Sequence, residues 1–237
     1  MTSIWLRDEP DRPRRAPQLT RARIVTEAVA LLDTDGIEAL TMRRLAQRLD
    51  VTSTALYWHV RTKDDVLDLA VDEIFGAVPL PAAGRDWTTD VRTLIHGWRA
   101  AMLAHPWTTA LIGRPMLGPN VLTRTEFLQA ALTRSGLTGE RLAVTTHLLA
   151  NFVIGSAVTE AAWPHDDDTP GAPTARQRIT ADPAAYPTLT DSGHLDSARW
   201  PTDTLFEKGL DTILTHVLGV PSEASPPPPT ATPILDV

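Results

Sequence analysis

The stretch GERLAVTTHLLANFVIGSAVTEAAW, from Gly139 to Trp163, is the segment that most limits how this chain can fold. Glu140, Arg141, His147, Asn151 and Glu160 interrupt its 25 residues, and polar groups at that density are costly in a bilayer. A helix this apolar is instead buried over most of its circumference, so other helices must surround it. The sequence supplies them. Apolar residues fall at helical spacing at Ile24, Ala28, Leu31 and Leu32, at Met42, Leu45, Ala46 and Leu49, and at Val66, Ala70 and Ile74. Further helical segments are read in WTTDVRTLIHGWRAAMLAH, in a short turn from Trp107 to Ile112, in NVLTRTEFLQAALTRSG and from Thr202 to Gly219. No segment alternates apolar and polar residues as a half-buried strand does. The predicted fold is all-α.

Capping residues mark the helix ends. Thr20 caps the first helix, over Leu19 to Leu32, and Gly36 ends it. Thr41 caps a second, short helix. Asp50, Val51 and Thr52 make a tight turn into a third, from Ser53 to His59. Thr62 caps a fourth that reaches Val78, with Asp64 and Asp65 in its first turn, where the helix dipole favours acids. The break VPLPAAGRD, Val78 to Asp86, separates a first domain, residues 18–78, from a second, residues 79–220. Pro, Asp, Thr and Gly dominate residues 164–200, which read as one long loop. Residues 1–17 read as a flexible arm, and residues 221–237, PSEASPPPPTATPILDV, as a disordered tail.

Two short helices joined by a three-residue turn form a helix-turn-helix. Ala46 is small where the helices cross, and Val51 plugs the turn. Leu56 and Val60, four apart, face the core, which leaves Ser53, Thr54 and Tyr57 on the opposite face. That face carries hydrogen-bonding groups and no acid that phosphate would repel. Trp58, beside it, is read as half core and half surface.

Charge is unevenly placed. From Arg12 to Lys63, ten Lys and Arg stand against five Asp and Glu, a balance of +5. The whole chain carries −7, so the remainder carries −12. A basic first part on an acidic body points to a polyanion meeting one end only. The absence of cysteine excludes disulfides, thiolate catalysis and Cys-ligated zinc, and fits a reducing cytoplasm. No uninterrupted apolar run approaches the roughly 20 residues of a membrane span, and the N-terminal residues lack a signal-peptide pattern. A cytoplasmic location without a membrane partner is expected. The sequence has no G-x-S-x-G elbow, H-E-x-x-H, P-loop or G-x-G-x-x-G, so catalysis has no motif to rest on. The acidic run His165 to Asp168 lies among prolines and reads as a solvated loop rather than a metal site, and no cofactor is expected.

Over residues 19 to 78 the sequence becomes specific. The runs GIEALTMRRLAQRL and LYWHVRTK closely resemble the DNA-binding domain of the Tet repressor (TetR) family of bacterial transcription regulators. LAHPWTTALIGRP and FEKGLDTIL resemble, more weakly, the tetracycline-repressor branch. The resemblance implies that Arg43, Ser53, Thr54 and Tyr57, with Trp58 alongside, approach base edges in the major groove. It implies that Thr41, Thr52, His59 and Lys63 hold phosphates. Physically, Arg pairs bidentately with guanine and hydroxyls read either donor or acceptor, while backbone contacts position without specifying.

For the second domain the resemblance implies a homodimer, built through Gly139–Trp163 and Thr202–Gly219, around a small-molecule pocket. Two recognition helices would then stand about 34 Å apart on a near-palindromic operator in double-stranded DNA. Candidate pocket residues are His96, Trp98, Arg99, Met102, Trp107, Arg114, Met116, Phe127, His147, Asn151 and Trp163. Singly each also suits ordinary packing; together they suit a mostly apolar ligand with a few polar anchors. Tetracycline repressors hold a magnesium–drug complex with a histidine where Ala110 stands here, and histidines end their fourth helix where this chain has EIFGAV. A different effector is therefore expected, whether or not Glu160 stands near a metal-associated acid. The expected action is repression relieved by effector, with activation as an alternative. A motif-less enzyme and an architectural DNA-binding protein are the rival classes.

Overall fold

A computed structural model describes residues 19–82, 86–162 and 171–219. The predicted arm, the predicted tail, Trp163 and the His165–Asp168 run lie outside the described residues. Among those described, every regular element is helical. They are α1 (Arg21–Ala39), α2 (Met42–Arg48), α3 (Ser53–Tyr57), α4 (Lys63–Gly76), α5 (Trp87–Ala104), a 3₁₀ segment (Pro106–Leu111), α6 (Pro119–Arg134), α7 (Gly139–Ala162), α8 (Ala172–Ala181), α9 (Pro187–Ser192) and α10 (Thr202–Gly219).

Threonines set the starts of the first four helices. Oγ1 of Thr20, Thr41, Thr52 and Thr62 accepts from the backbone N–H of Arg23, Arg44, Ala55 and Asp65 at 3.0–3.2 Å. Each cap satisfies a helix-end donor that would otherwise be orphaned. Gly36 breaks α1 as expected, at φ 76° and ψ 179°, but the chain resumes helical geometry and runs on to Ala39. Helix α3 ends at Tyr57, two residues short of the expected His59, and α4 ends at Gly76 rather than Val78. Ile24, Leu31, Leu45, Leu56, Val60 and Val66 meet in the core of this first part, each at 0% exposure.

In the second part α5 packs on α6 and α7, and α7 packs on α10. Leu94, Ile95, Met102, Leu128, Leu132, Leu149 and Leu210 fill the interior with no exposed surface. Two expectations change here. Residues 164–200 are not one loop, because α8 and α9 occupy 172–181 and 187–192. The prolines read as helix breakers, Pro173 and Pro187, sit in the first turns of these helices, where a missing N–H costs nothing. Helix α7 is also less enclosed than its composition suggested. Thr145, Leu149, Val153 and Ala157 form a buried stripe, while Val144 and Leu148 stay about half exposed. By length and composition α7 could cross a membrane; in this fold its buried stripe packs against α5, α6 and α10.

Helix α4 reaches from the first part into the second, where it lies against α6. Asp72 of α4 accepts from the backbone N–H of Val121 (3.0 Å) and Asn120 (3.3 Å) and from Asn120 Nδ2 (3.0 Å). Arg124 of α6 returns the contact: Nε and Nη2 donate to Val78 O (3.0 and 2.6 Å), and Nη2 also donates to Gly76 O. Burial lowers the Arg124 pKa below its usual value, and the charge of Asp72 opposes that.

Candidate nucleic-acid interface and effector region

The turn between α2 and α3 is closed without glycine. Asp50 adopts φ 53°, a left-handed conformation that Asp tolerates better than most residues. Val51 N–H then donates to Ala46 O at 3.0 Å, which fixes the angle between the two helices. Two α1 arginines brace the C-terminal ends of α2 and α3: Arg23 Nη2 donates to Leu49 O (3.2 Å) and Arg21 Nε to His59 O (3.5 Å). Cations at these carbonyls complement the helix dipoles.

With Leu56 and Val60 fully buried, α3 turns Ser53, Thr54 and Tyr57 outward. Tyr57 is 49% exposed. Trp58 is 67% exposed, more than the half-core position expected, because α3 ends before it and its ring leaves the packed face. Arg43 is exposed at the start of α2, while Arg44 and Arg48 pair with Asp35 and Glu27 on α1. Thr41 and Thr52 use their oxygens as caps, which leaves each hydroxyl hydrogen free to donate. These six residues and Trp58 lie on or beside one helix-turn-helix surface.

Two expected phosphate contacts sit differently. His59 is buried, at 7% exposure. Lys63 Nζ donates to Ile37 O at 2.8 Å, at the end of α1.

The candidate effector residues divide into groups instead of ringing one cavity. Arg99 Nε donates to Glu160 (2.9 Å), and its Nη2 pairs with Glu160 (2.7 Å) and Asp203 (2.5 Å). Burial works against the Arg99 charge, but the bonds from Asp203 and Glu160 hold its pKa above the usual value. Its guanidinium stacks 4.4 Å over Phe206, and His96 meets the same ring edge-on and Glu207 at 3.1 Å. Glu160, raised from sequence as a metal-associated acid, is engaged by this arginine. Among the described residues no group of three His, Asp or Glu is arranged to hold a metal.

Trp107 and Arg114 look toward the first part. Trp107 Nε1 donates to Asp33 Oδ1 (2.6 Å). Arg114 pairs with Asp68 (2.9 Å) and Asp64 (3.0 Å) of α4. Met116 lines a crevice with Asp68, Val71, Leu111, Arg114 and Val121 that holds about 10 Å³, room for no more than a water. His147 and Asn151 bond to each other (2.8 Å) on the open side of α7. Met102 and Trp98 lie in the α5 interior, and Phe127 packs half-buried against the core. Trp98 Nε1 is buried without an acceptor, a costly state for an N–H donor.

Asp33, Asp72, Gly118 and Arg124 were not singled out from sequence. An acid inside the apolar stripe of α4 was the available signal for Asp72, and the Gly118-Pro119 pair was a signal for the α6 start.

Comparison with known proteins adds two family matches. Residues 24–70 match the model described as bacterial regulatory proteins, tetR family, and residues 80–218 match the tetracyclin repressor-like C-terminal domain. An HTH-type transcriptional regulator of Saccharopolyspora erythraea is 41% identical over 90% of this chain and 89% of its own length. The HTH-type transcriptional repressor DrrR1 of Streptomyces coeruleorubidus is 32% identical over 65% of this chain and 58% of its own. The Streptomyces coelicolor TetR family protein ActR, in complex with (S)-DNPA, superposes at a TM-score of 0.73 with 32% identity, covering 86% of this chain and 98% of that one. ActR is also known in complex with actinorhodin, at a TM-score of 0.72.

Proposed function

Because the chain belongs to the tetR family of bacterial regulatory proteins, we propose that it is a repressor that binds a near-palindromic operator as a homodimer and leaves it when a small effector binds. It is a DNA-binding transcriptional regulator with a ligand-binding C-terminal domain, not an enzyme. The observation that carries the reading is the outer face of α3, where Ser53, Thr54 and Tyr57 are exposed on a helix that holds no acid, with Thr52 capping that helix and Thr41 capping α2. In the proposed complex Arg43, Ser53, Thr54 and Tyr57 reach base edges, Trp58 flanks them, and Thr41 and Thr52 donate to phosphates. Lys63 retains two further N–H donors beside its bond to Ile37 O, enough for a phosphate. His59 supports α3 from within.

The half-exposed Val144 and Leu148 of α7 and Leu205 of α10 are proposed to meet a second copy of the chain. A two-fold pairing there presents two α3 helices to successive turns of DNA. ActR's complexes with (S)-DNPA and actinorhodin favour an effector, and the α5 interior, with Trp98 and Met102, is the proposed place for its apolar part. The protein would act in the cytoplasm, where bacterial DNA lies. Selection from a pool of random duplexes with the purified chain tests the reading. Enrichment of a two-fold related site supports it; a pool that stays random at low salt removes it.

A further inference from the structure

The first part of the molecule is held to the second at places of unequal stiffness. The α4–α6 contact is deep. Asp72 and Arg124 are 4% and 7% exposed, and each meets backbone groups at the end of the other's helix. Gly118 lets α6 begin against Asp72, since a Cβ there would fall 2.1 Å from Asp72 Oδ1. Buried charges and backbone bonds thus tie α4 to α6 from both sides. The α1 contact with the 3₁₀ segment is different in kind. Its polar tie converges on one carboxylate oxygen: Asp33 Oδ1 accepts from Trp107 Nε1 (2.6 Å) and His105 Nδ1 (2.7 Å). The Asp33 side chain is 35% exposed. The donor side is the firmer one, because Trp107 is buried and Thr108 Oγ1 pins His105 O at 2.8 Å.

We infer that Asp33 is a positioning residue for operator binding: its carboxylate latches α1 to the 3₁₀ segment, and so fixes the tilt of the helix-turn-helix against the rest of the molecule. Asp33 sits on α1, away from the outer face of α3, and acts on DNA only through that tilt. In a homodimer the tilt sets the separation of the two α3 helices, which a palindrome reads as half-site spacing. Motion concentrates where few buried contacts resist it, and the Asp33 joint is weaker than the α4–α6 clasp. The inference rests on the proposed dimeric, DNA-binding reading and adds the residue that sets its geometry.

The test compares three duplexes: the site selected by the wild-type chain, the same site with one base pair inserted or removed at its centre, and a single half-site. The wild type is expected to prefer the selected site over the respaced ones by about a hundredfold. Asp33→Ala should bind the half-site within about twofold of wild type yet discriminate spacing by less than about tenfold. The half-site controls for folding of the head and for the negative charge removed. Trp107→Phe, which deletes one of the two donors and leaves His105, should relax spacing discrimination in the same direction by less, and the double variant should match Asp33→Ala. Wild-type spacing discrimination in both single variants overturns the inference, as does a half-site loss as large as the loss on the full site. A wild-type chain that selects no site removes the proposed function itself, and this inference with it.

Discussion

Asp72 of α4 and Arg124 of α6 each cap the other's helix. The carboxylate accepts from the first N–H groups of α6, and the guanidinium donates to the carbonyls of Gly76, the last residue of α4, and of Val78 just beyond it. Each charge lies at the helix end whose dipole favours it. The pair makes a buried corner where the DNA-binding part meets the ligand-binding part.

Arg124→Met should lower the unfolding free energy by about 2–4 kcal/mol, because it leaves the carbonyls of Gly76 and Val78 without their donor and removes the cation that faces the buried Asp72 charge. Urea unfolding measures this. Arg124→Lys should recover part of the loss, and a loss under about 0.5 kcal/mol for the Met variant would show that the corner carries little.

Gly118 and Gly36 should respond differently to alanine. A Cβ at Gly118 collides with a buried, bonded carboxylate, and overpacking of that kind costs about 1–3 kcal/mol or more. At Gly36 nothing lies within 4 Å of the added atom, so only the backbone, at φ 76° and ψ 179°, is strained, at about 1–3 kcal/mol. The two losses therefore differ in cause, and a Gly118→Ala variant that melts with wild type would contradict the close approach of α6 to Asp72.

Leu148→Glu should convert the proposed dimer to monomer without unfolding it, since Leu148 is half exposed on α7 and a charge in an apolar pairing face is left unpaired. Sedimentation equilibrium, with circular dichroism as the check on folding, reads the outcome. A dimer that persists places the interface elsewhere.

Thr52→Val should cost about 1 kcal/mol of stability through the lost cap. It should also weaken specific DNA binding beyond what the folded fraction explains, because the hydroxyl that caps Ala55 N–H is also the proposed phosphate donor. Thr52→Ser should restore both. A variant with normal DNA affinity for its folded fraction limits Thr52 to capping.

The helices and their starts were legible because they are local: Thr20, Thr41 and Thr62 announce themselves by position, and buried leucines recur at helical spacing. The exposed face of α3 was legible for the same reason, since burying Leu56 and Val60 leaves Ser53, Thr54 and Tyr57 only one way to point. Long-range pairings were not. Nothing near Trp107 or Arg114 in sequence reveals that Asp33, 74 residues away, or Asp68, 46 residues away, receives them. Ring and cation content alone cannot separate a residue that lines a pocket from one that ties two domains. Prolines at 173 and 187 misled in a simpler way, because the same residue that stops a helix also starts one.

The most direct measurement is the affinity of the chain for its selected duplex and for a scrambled duplex of equal length, with wild type and Tyr57→Ala side by side, at fixed salt. A protein that reads bases through α3 should bind the selected duplex at least about a thousandfold more tightly than the scrambled one. Tyr57→Ala should lose much of that ratio while keeping scrambled-DNA binding, since phosphate contacts carry the latter. Equal affinity for both duplexes in the wild type, or an unchanged ratio in the variant, would contradict recognition by this face.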